Sequence, residues 1–458
     1  MHIAKRWLAG GAALIAAIVS LPAFADIPAV QHIVIVFQEN RSPDNLFHGL
    51  PASMPGADIA NSGQNSSGQT IALTPSPLAT TFDLGHTHSD FQRMYNNGQM
   101  NGADLNPCFP QTGTSCPVAP QFEYVNPADV APYFSIAVNY GFANRMFQSN
   151  QGPSFPAHQF IIGGTSQLSA TSLFFASDNP NAPNGLNSSN GCDAASTTRV
   201  GAVGPNGMST TTHPCFEHAT LTDLIDNPPV GARQGLTWRY YTPKEGGLWT
   251  APNAIRHMCQ PKGVPAVCRG PDWTNGKIVI NPAQVLTDIQ QNNLASVSWV
   301  IPTLQESDHA KANDGSGPSW VASVVNAIGN SPYWKNTVIL IAWDDWGGWY
   351  DHVPPPVDPK YGYYENGFRV PLLVVSAYTP AGYVSQQTHT FGSVLKFIES
   401  AYSLPLISPG NFVDSRSDDL SDFFNFNQTP RTFVPIPAPV PPAFFLHDTR
   451  TPEGPDDE

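Results

Sequence analysis

The chain has few charged residues, and the basic ones are in the minority. Lys and Arg number 21 against 35 acidic residues, which gives a formal net charge of −14 at pH 7. Binding to a polyanion normally needs a basic face on the protein, so we expect no nucleic-acid partner. The acidity is instead typical of a protein that stays soluble outside the cytoplasm.

The chain also lacks a convincing membrane span. The apolar run from Trp7 to Leu21 follows the basic residues Lys5 and Arg6 and leads into small residues before Asp26. A spanning helix needs about 20 apolar residues, and this shorter run is typical of a signal peptide. We therefore expect a signal peptide over residues 1–25, a periplasmic or secreted location, and no stable membrane insertion.

The CxxC spacing of a structural zinc site is absent too. All six cysteines lie beyond the expected cleavage point, and an even number in an exported chain indicates disulfides. The sequence leaves their pairing open. The pairing that we prefer joins near neighbours and closes one longer loop: Cys108–Cys116, Cys259–Cys268 and Cys192–Cys215.

The composition predicts one large folded unit without internal repeats. Hydrophobic residues make up 41% of the 458, and the 46 prolines and 37 glycines fall short of a disordered composition. We expect a domain over residues 26–427 and a Pro-rich tail over residues 428–458. Irregular structure is expected in residues 51–82, in residues 177–215 and in the tail, where turn-forming residues accumulate.

Short apolar runs alternate with stretches of helical periodicity. This alternation predicts an α/β fold with a central, mainly parallel sheet flanked by helices. The expected strands are His32–Phe37, Leu236–Tyr241, Val297–Ile301, Thr337–Trp343 and Val370–Ser376. The expected helices are Ser319–Ile328 and Phe391–Tyr402.

Carboxylates follow two of the predicted strands directly. Glu39 and Asn40 come after the first strand, and Asp344 and Asp345 come after the fourth. Functional groups of open α/β sheets gather at the carboxyl ends of strands, and acids crowded there raise one another's pKa unless a cation neutralises them. The four residues predict an oxygen-rich site for a divalent ion such as Mg, Mn, Ca or Zn. The alternatives are that the Asp pair caps a turn and that Glu39 forms a loop ion pair with Arg41.

The segment QGPSFPAHQF, residues 151–160, predicts a turn followed by a helix. Gly152 and Pro153 favour the turn, and Pro156 suits the first turn of a helix. Ser154 would then lie at a helix N-terminus, where free N–H groups favour an alkoxide or a phosphoryl oxygen. The alternative role for Ser154 is to cap that helix.

Polar loops carry several histidines that could serve such a site. An imidazole beside a metal and a serine can bind phosphate oxygens or protonate a leaving group, although a lone histidine is more often packed or on the surface. We favour His86 and His309, the latter in a loop that also carries Glu306 and Asp308. The other candidates are His88, His257 and His352.

Six motifs follow one another along the chain: HIVIVFQENRSPDNLFHG, DLGHTHSDFQRMYNNGQMNG, GPSFPAHQF, ESDHA, SPYWKNTVILIAWDDWGGWYDHVPPP and GFRVPLLVVSAY. From His32 to Tyr402 they resemble the bacterial phosphoesterases that include phosphatidylcholine-cleaving phospholipases C and a respiratory-burst-inhibiting acid phosphatase. The resemblance implies a three-layer, alkaline-phosphatase-like fold and a phosphoryl-enzyme intermediate.

The same resemblance implies a role for individual residues. The implied metal ligands are Glu39, Asn40, Asp344 and Asp345, and the implied nucleophile is Ser154. The implied residues near the phosphate are His86 and His309, with His257 and His352 matching less closely. We expect Asn40 to contact the phosphoryl oxygens as well. Three positions depart from the family: Pro43, Ala157 and His158 stand where an aromatic, Asn and Arg are common. Ser154 and Asp345 match the acid-phosphatase branch, whereas many phospholipases C have Thr and Glu there.

The resemblance thus implies an exported, metal-dependent hydrolase of a phosphate ester, and the substrate would be a small molecule or a phospholipid head group. We lean towards an acid phosphatase that cleaves monoesters, with a phospholipase C as the alternative. A sulfatase is a remote alternative, because residues 154–158 resemble the S/CxPxR signature but have His158 in place of Arg. A protein that binds phosphate compounds without turnover is the non-enzymatic alternative.

Overall fold

A computed structural model describes residues 27–181 and 189–450, and the expected signal peptide lies outside these ranges. Its centre is an eight-stranded sheet. The strands are β1 (His32–Gln38), β2 (Gly141–Ala143), β3 (Trp238–Thr242), β4 (Ile278–Ile280), β5 (Val297–Val300), β6 (Thr337–Trp343), β7 (Leu372–Ser376) and β8 (Tyr383–Ser385). The longer helices are α1 (His88–Tyr95), α2 (Ala131–Asn139), α3 (Ser154–Gly163), α4 (Gln284–Gln290), α5 (Gly317–Gly329) and α6 (Phe391–Tyr402).

The strand order in the sheet is β4-β3-β5-β1-β6-β7-β2-β8. The strands from β4 to β6 in this order are parallel, β7 is antiparallel to both of its neighbours, and β8 is parallel to β2. The predicted mainly parallel sheet is confirmed, and the five predicted strands all occur in it. β3 begins at Trp238 instead of Leu236, and β7 begins at Leu372 instead of Val370.

The register of β1 and β6 sorts the helices into two layers. Phe37 is paired with Ala342, the residue before Trp343, so Phe37 and Trp343 point to opposite faces of the sheet. Phe37 contacts Phe391 of α6, whereas Trp343 contacts Tyr133 of α2. Because α3 packs on α6 and α5 packs on α2 and α4, helices cover both faces, as expected for three layers.

β1 and β6 lie at the centre of this arrangement. Every residue of β6 is buried, and so is every residue of β1 except His32. Continuous apolar runs of this kind are what a parallel strand covered on both faces requires. The core of the protein therefore surrounds the two strands whose ends carry the candidate ligands.

Two segments that we expected to be irregular contain short strands, so that expectation was wrong for part of their length. Pairs of two to four residues are too short to show a hydrophobic period. The pairs are Ser62–Gln64 with Thr70–Ala72, Thr74–Ser76 with Glu123–Val125, and Val200–Val203 with both Ser209–Thr212 and Phe175–Ala176.

Disulfides and contacts of the C-terminal tail also hold the folded chain together. The three disulfides pair the cysteines as expected. In the tail, Phe445 packs against Trp320 of α5, and the Arg431 carbonyl oxygen accepts a hydrogen bond from Trp334.

Among the described residues, no helix has the length and apolar character that crossing a membrane requires.

Candidate active site

Two loops leave neighbouring strands at the same edge of the sheet and meet there. Gln38 of β1 lies opposite Trp343 of β6, so Glu39 and Asp344 emerge side by side. The Asn40 N–H donates to Asp344 Oδ1 at 2.9 Å and ties the two loops together. The residues that were predicted to bind a metal are all fully buried: Glu39, Asn40, Asp344 and Asp345.

The turn after β6 explains why glycine follows the acidic pair. Gly347 N–H donates to Asp345 Oδ1 at 2.7 Å, so Asp345 does cap this turn with one of its oxygens. Gly347 has a φ of +60°, and a Cβ there would lie 2.3 Å from the Asn40 carbonyl oxygen; only glycine allows this approach. Arg41 donates to backbone carbonyl oxygens and, among the described residues, forms no ion pair with Glu39.

Ser154 is the first residue of α3, as predicted, and its hydroxyl faces the carboxylates. Ser154 Oγ lies 3.2 Å from Asp345 Oδ2 and 3.4 Å from Asn40 Oδ1. The helix N-cap is Pro153, so the Ser154 side chain does not cap its own helix. The side chain is 2% exposed. A buried hydroxyl at the positive end of a ten-residue helix suits attack on an anionic centre.

The buried carboxylates lie close together, and a bound cation would neutralise their negative charge. Burial, followed by the charge of Asp344, raises the pKa of Glu39 well above its ordinary value. Within the described residues, Glu39 Oε2 and Asp344 Oδ2 have no hydrogen-bond partner, and neither carboxylate is paired with Lys or Arg. Carboxylate, amide and hydroxyl oxygens are donors that hard divalent ions accept. The residues present therefore fit a divalent metal ion.

His86 contacts this cluster, and His309 lies next to His86. The Asn40 Nδ2–H donates to His86 Nε2 at 2.9 Å, because His86 Nδ1 donates its proton to the Leu84 carbonyl oxygen at 2.7 Å. His86 Nε2 is also 4.0 Å from Asp345 Oδ2. The ring of His309 lies 6.2 Å from that of His86. His86 is thus in contact with the cluster, and the His309 ring lies next to that of His86.

The other residues that were considered from the sequence make their contacts in other parts of the protein. His257 pairs with Glu217 and Asp223, at 2.7 and 3.2 Å. His352 pairs with Asp44 at 2.8 Å, in a network with a buried arginine. His88 bonds the Gln151 carbonyl oxygen, and Asp308 accepts from Tyr133 and Trp343 in the core. The structure therefore does not bring His257 and His352 into the cluster.

His158, which the sequence marks only as a departure from the family, lies inside the cluster. Its Nε2 is 3.1 Å from Glu39 Oε1 and 3.9 Å from Asp344 Oδ2. Burial lowers the pKa of His158 to about 4, so the imidazole is neutral at pH 7. The signal that could have found it is its position four residues after Ser154, which puts both side chains on one face of a helix.

Comparison with known proteins supplies the family. The model of the Phosphoesterase family matches residues 30–405. Hemolytic phospholipase C of Pseudomonas aeruginosa is 24% identical over 441 residues, which are 87% of this chain and 56% of that protein. Phospholipase C A of Mycobacterium tuberculosis is 23% identical over 446 residues, 89% of this chain and 79% of that protein. The chain thus spans little more than half the length of the Pseudomonas relative.

A solved structure that this chain matches is that of a protein in the alkaline phosphatase superfamily from Vibrio parahaemolyticus. The match covers 87% of this chain and 71% of that one, with 8% identity and a TM-score of 0.38. The match to the family model covers most of the chain and includes every loop of the candidate site. The chain therefore belongs to the Phosphoesterase family.

Proposed function

We propose that this protein is an exported hydrolase of phosphoric esters whose nucleophile is Ser154. The observation that carries the proposal is the position of Ser154 Oγ, at the start of α3 and 3.2 Å from Asp345 Oδ2. The family and the relatives named phospholipases C support a phosphoric ester as the substrate. The three disulfides support an oxidising location outside the cytoplasm.

A divalent metal ion would be bound by Glu39, Asn40, Asp344 and Asp345. The candidate ions are Ca²⁺, Mg²⁺, Mn²⁺ and Zn²⁺. When bound, the ion supplies positive charge that lowers the pKa of the Ser154 hydroxyl and neutralises phosphoryl oxygens. The N–H groups at the start of α3 add a fixed partial positive charge on the same side.

In the proposed reaction, Ser154 Oγ forms a bond to phosphorus while the bond from phosphorus to the leaving oxygen breaks. His86 Nε2, which carries no proton in this hydrogen-bond arrangement, would take up the Ser154 hydroxyl proton. The departing oxygen would then take a proton from His309 or from the protonated His86, whose rings lie 6.2 Å apart. Water then attacks the phosphoserine, restores Ser154 and releases phosphate. Most of the catalysis of phosphoryl transfer comes from positioning the reacting groups and from electrostatic stabilisation of the transition state. A site made of buried, hydrogen-bonded groups is suited to both.

We infer that a phosphomonoester is the preferred substrate, because Ser154 and Asp345 are the residues of the acid-phosphatase branch. The second candidate is a phospholipase C, which the names of the relatives favour. Hydrolysis rates on an aryl phosphate and on phosphatidylcholine vesicles separate the two. Hydrolysis of an aryl sulfate tests the remaining alternative of a sulfatase. A binding titration with inorganic phosphate tests the alternative of a non-catalytic binding protein.

The test of the nucleophile is Ser154→Ala, assayed on an aryl phosphate. The matched control is Ser166→Ala, which removes an equally buried hydroxyl that donates to the Ala176 carbonyl oxygen at 2.9 Å. We expect Ser154→Ala to lose at least about 10³-fold in kcat and Ser166→Ala to keep its activity. Turnover by a folded Ser154→Ala protein at the rate of the control would remove Ser154 from the mechanism.

A further inference from the structure

One side chain of the cluster has a chemistry that the oxygen ligands lack. His158 lies one turn after Ser154 on α3 and is fully buried. Its Nε2, an oxygen of Glu39 and an oxygen of Asp344 all lie within 4.8 Å of one another. This spacing of one imidazole nitrogen and two carboxylate oxygens is compact enough for a shared cation.

The protein holds the His158 ring in one orientation. The ring lies edge-on to Phe37, with centroids 4.9 Å apart, and is stacked on Trp249 at 6.3 Å. His158 Nδ1 is 3.4 Å from the Tyr240 hydroxyl oxygen. Tyr240 donates its own proton to the Trp249 carbonyl oxygen at 2.8 Å. The tyrosine oxygen, which the Ala251 N–H also approaches at 3.5 Å, can therefore accept a proton from His158 Nδ1 as well.

With its proton on Nε2, His158 can donate to Glu39 Oε1 at 3.1 Å; with its proton on Nδ1 instead, it turns the lone pair of Nε2 towards the carboxylates. Two of the carboxylate oxygens, Glu39 Oε2 and Asp344 Oδ2, have no hydrogen-bond partner among the described residues and are completely buried. A lone pair facing carboxylates is unfavourable unless a positive charge lies between them. An imidazole whose second nitrogen is fixed by a hydrogen bond is the usual form of a histidine metal ligand.

We propose that His158 Nε2 is a metal ligand together with Glu39 and Asp344, and that the site is therefore selective for a transition metal over Ca²⁺ or Mg²⁺. Imidazole nitrogen suits Zn²⁺ and its neighbours in the first transition row, whereas Ca²⁺ and Mg²⁺ take oxygen ligands. The inference rests on the metal site of the proposed function and narrows the identity of its ion. It also gives a reason for histidine at this position.

The experiment measures metal binding directly, so that it does not depend on turnover. The mature protein is stripped with a chelator, and the affinities for Zn²⁺ and Ca²⁺ are measured by competition titration for the wild type, His158→Gln and His218→Gln. His218 is the matched control, because it is equally buried and packs against Gly163 at the other end of α3.

We expect His158→Gln to weaken Zn²⁺ binding by at least about tenfold, the size of effect that even an outer partner of a ligand has, and to leave Ca²⁺ binding nearly unchanged. His218→Gln should bind both ions as the wild type does. Unchanged Zn²⁺ affinity in His158→Gln would overturn the proposal. An equal loss for both ions would also overturn it, because His158 would then only position Glu39.

X-ray absorption of the Zn²⁺-loaded wild type keeps the proposal testable if His158→Gln does not fold. The spectrum should contain the scattering signature of one imidazole, and a shell of oxygen atoms alone would contradict the proposal. Failure of Ser154 as the nucleophile would leave these results unaffected. Conversely, an oxygen-only metal shell would leave the proposed phosphoryl transfer to Ser154 standing.

Discussion

Gly347→Ala is the substitution that best tests how the two ligand loops fit together. Gly347 has a φ of +60°, a conformation that costs an L-residue roughly 1–2 kcal/mol. Its new Cβ would also lie 2.3 Å from the Asn40 carbonyl oxygen, and relieving such overpacking costs roughly 1–3 kcal/mol more. Relief requires the backbone at Asn40 or at Gly347 to shift, and a shift of Asn40 would disturb its N–H hydrogen bond to Asp344.

The matched control is Gly410→Ala. Gly410 also has a positive φ, +72°, but a Cβ there would meet nothing within 4 Å. The control therefore has the backbone strain without the clash. In urea unfolding, Gly410→Ala should lose roughly 1–2 kcal/mol and keep its kcat/KM on an aryl phosphate. Gly347→Ala should lose more stability and about 10²-fold in kcat/KM, the size of effect that a displacement of about 1 Å can have. Equal stability and equal activity of the two variants would refute this account of the loops.

Two further predictions concern stability. Burial, followed by the charge of Asp414, raises the pKa of Glu399 from 4.5 to about 9, so the folded state keeps a proton that the unfolded chain loses. The free energy of unfolding should therefore fall as the pH rises from about 5 to about 9, and Glu399→Gln should flatten that fall in urea titrations; an unchanged slope would contradict the assignment. Replacing both Cys192 and Cys215, which are 23 residues apart, by Ala should lower the free energy of unfolding by roughly 3 kcal/mol, and an unchanged urea midpoint would count against it.

The parts of the fold that the sequence predicts well are those with a long, uniform pattern. β6 is an unbroken apolar run, and the structure gives it the predicted bounds, Thr337–Trp343. The helix Phe391–Tyr402 also has its predicted bounds. Because a parallel strand must deliver its next residues to one edge of the sheet, the approach of Asp344 to Glu39 could be predicted as well.

Which histidines belong to the site could not be predicted from the sequence alone. His86, His257 and His352 all lie in polar stretches of the sequence and look alike there, but each lies near a different acidic residue that only the folded chain brings close. The position of His158 depends likewise on Tyr240 of β3, 82 residues away. Neither kind of contact leaves a pattern in the sequence.

The central claim is that Ser154 carries the phosphoryl group during turnover. The most direct measurement is a rapid acid quench of the wild-type protein during turnover of an aryl phosphate, followed by mass spectrometry of the peptide that contains residues 151–160. The account predicts the mass of one added phosphoryl group, located on Ser154. An unmodified Ser154 together with a phosphoryl group on another residue of the working enzyme would contradict it.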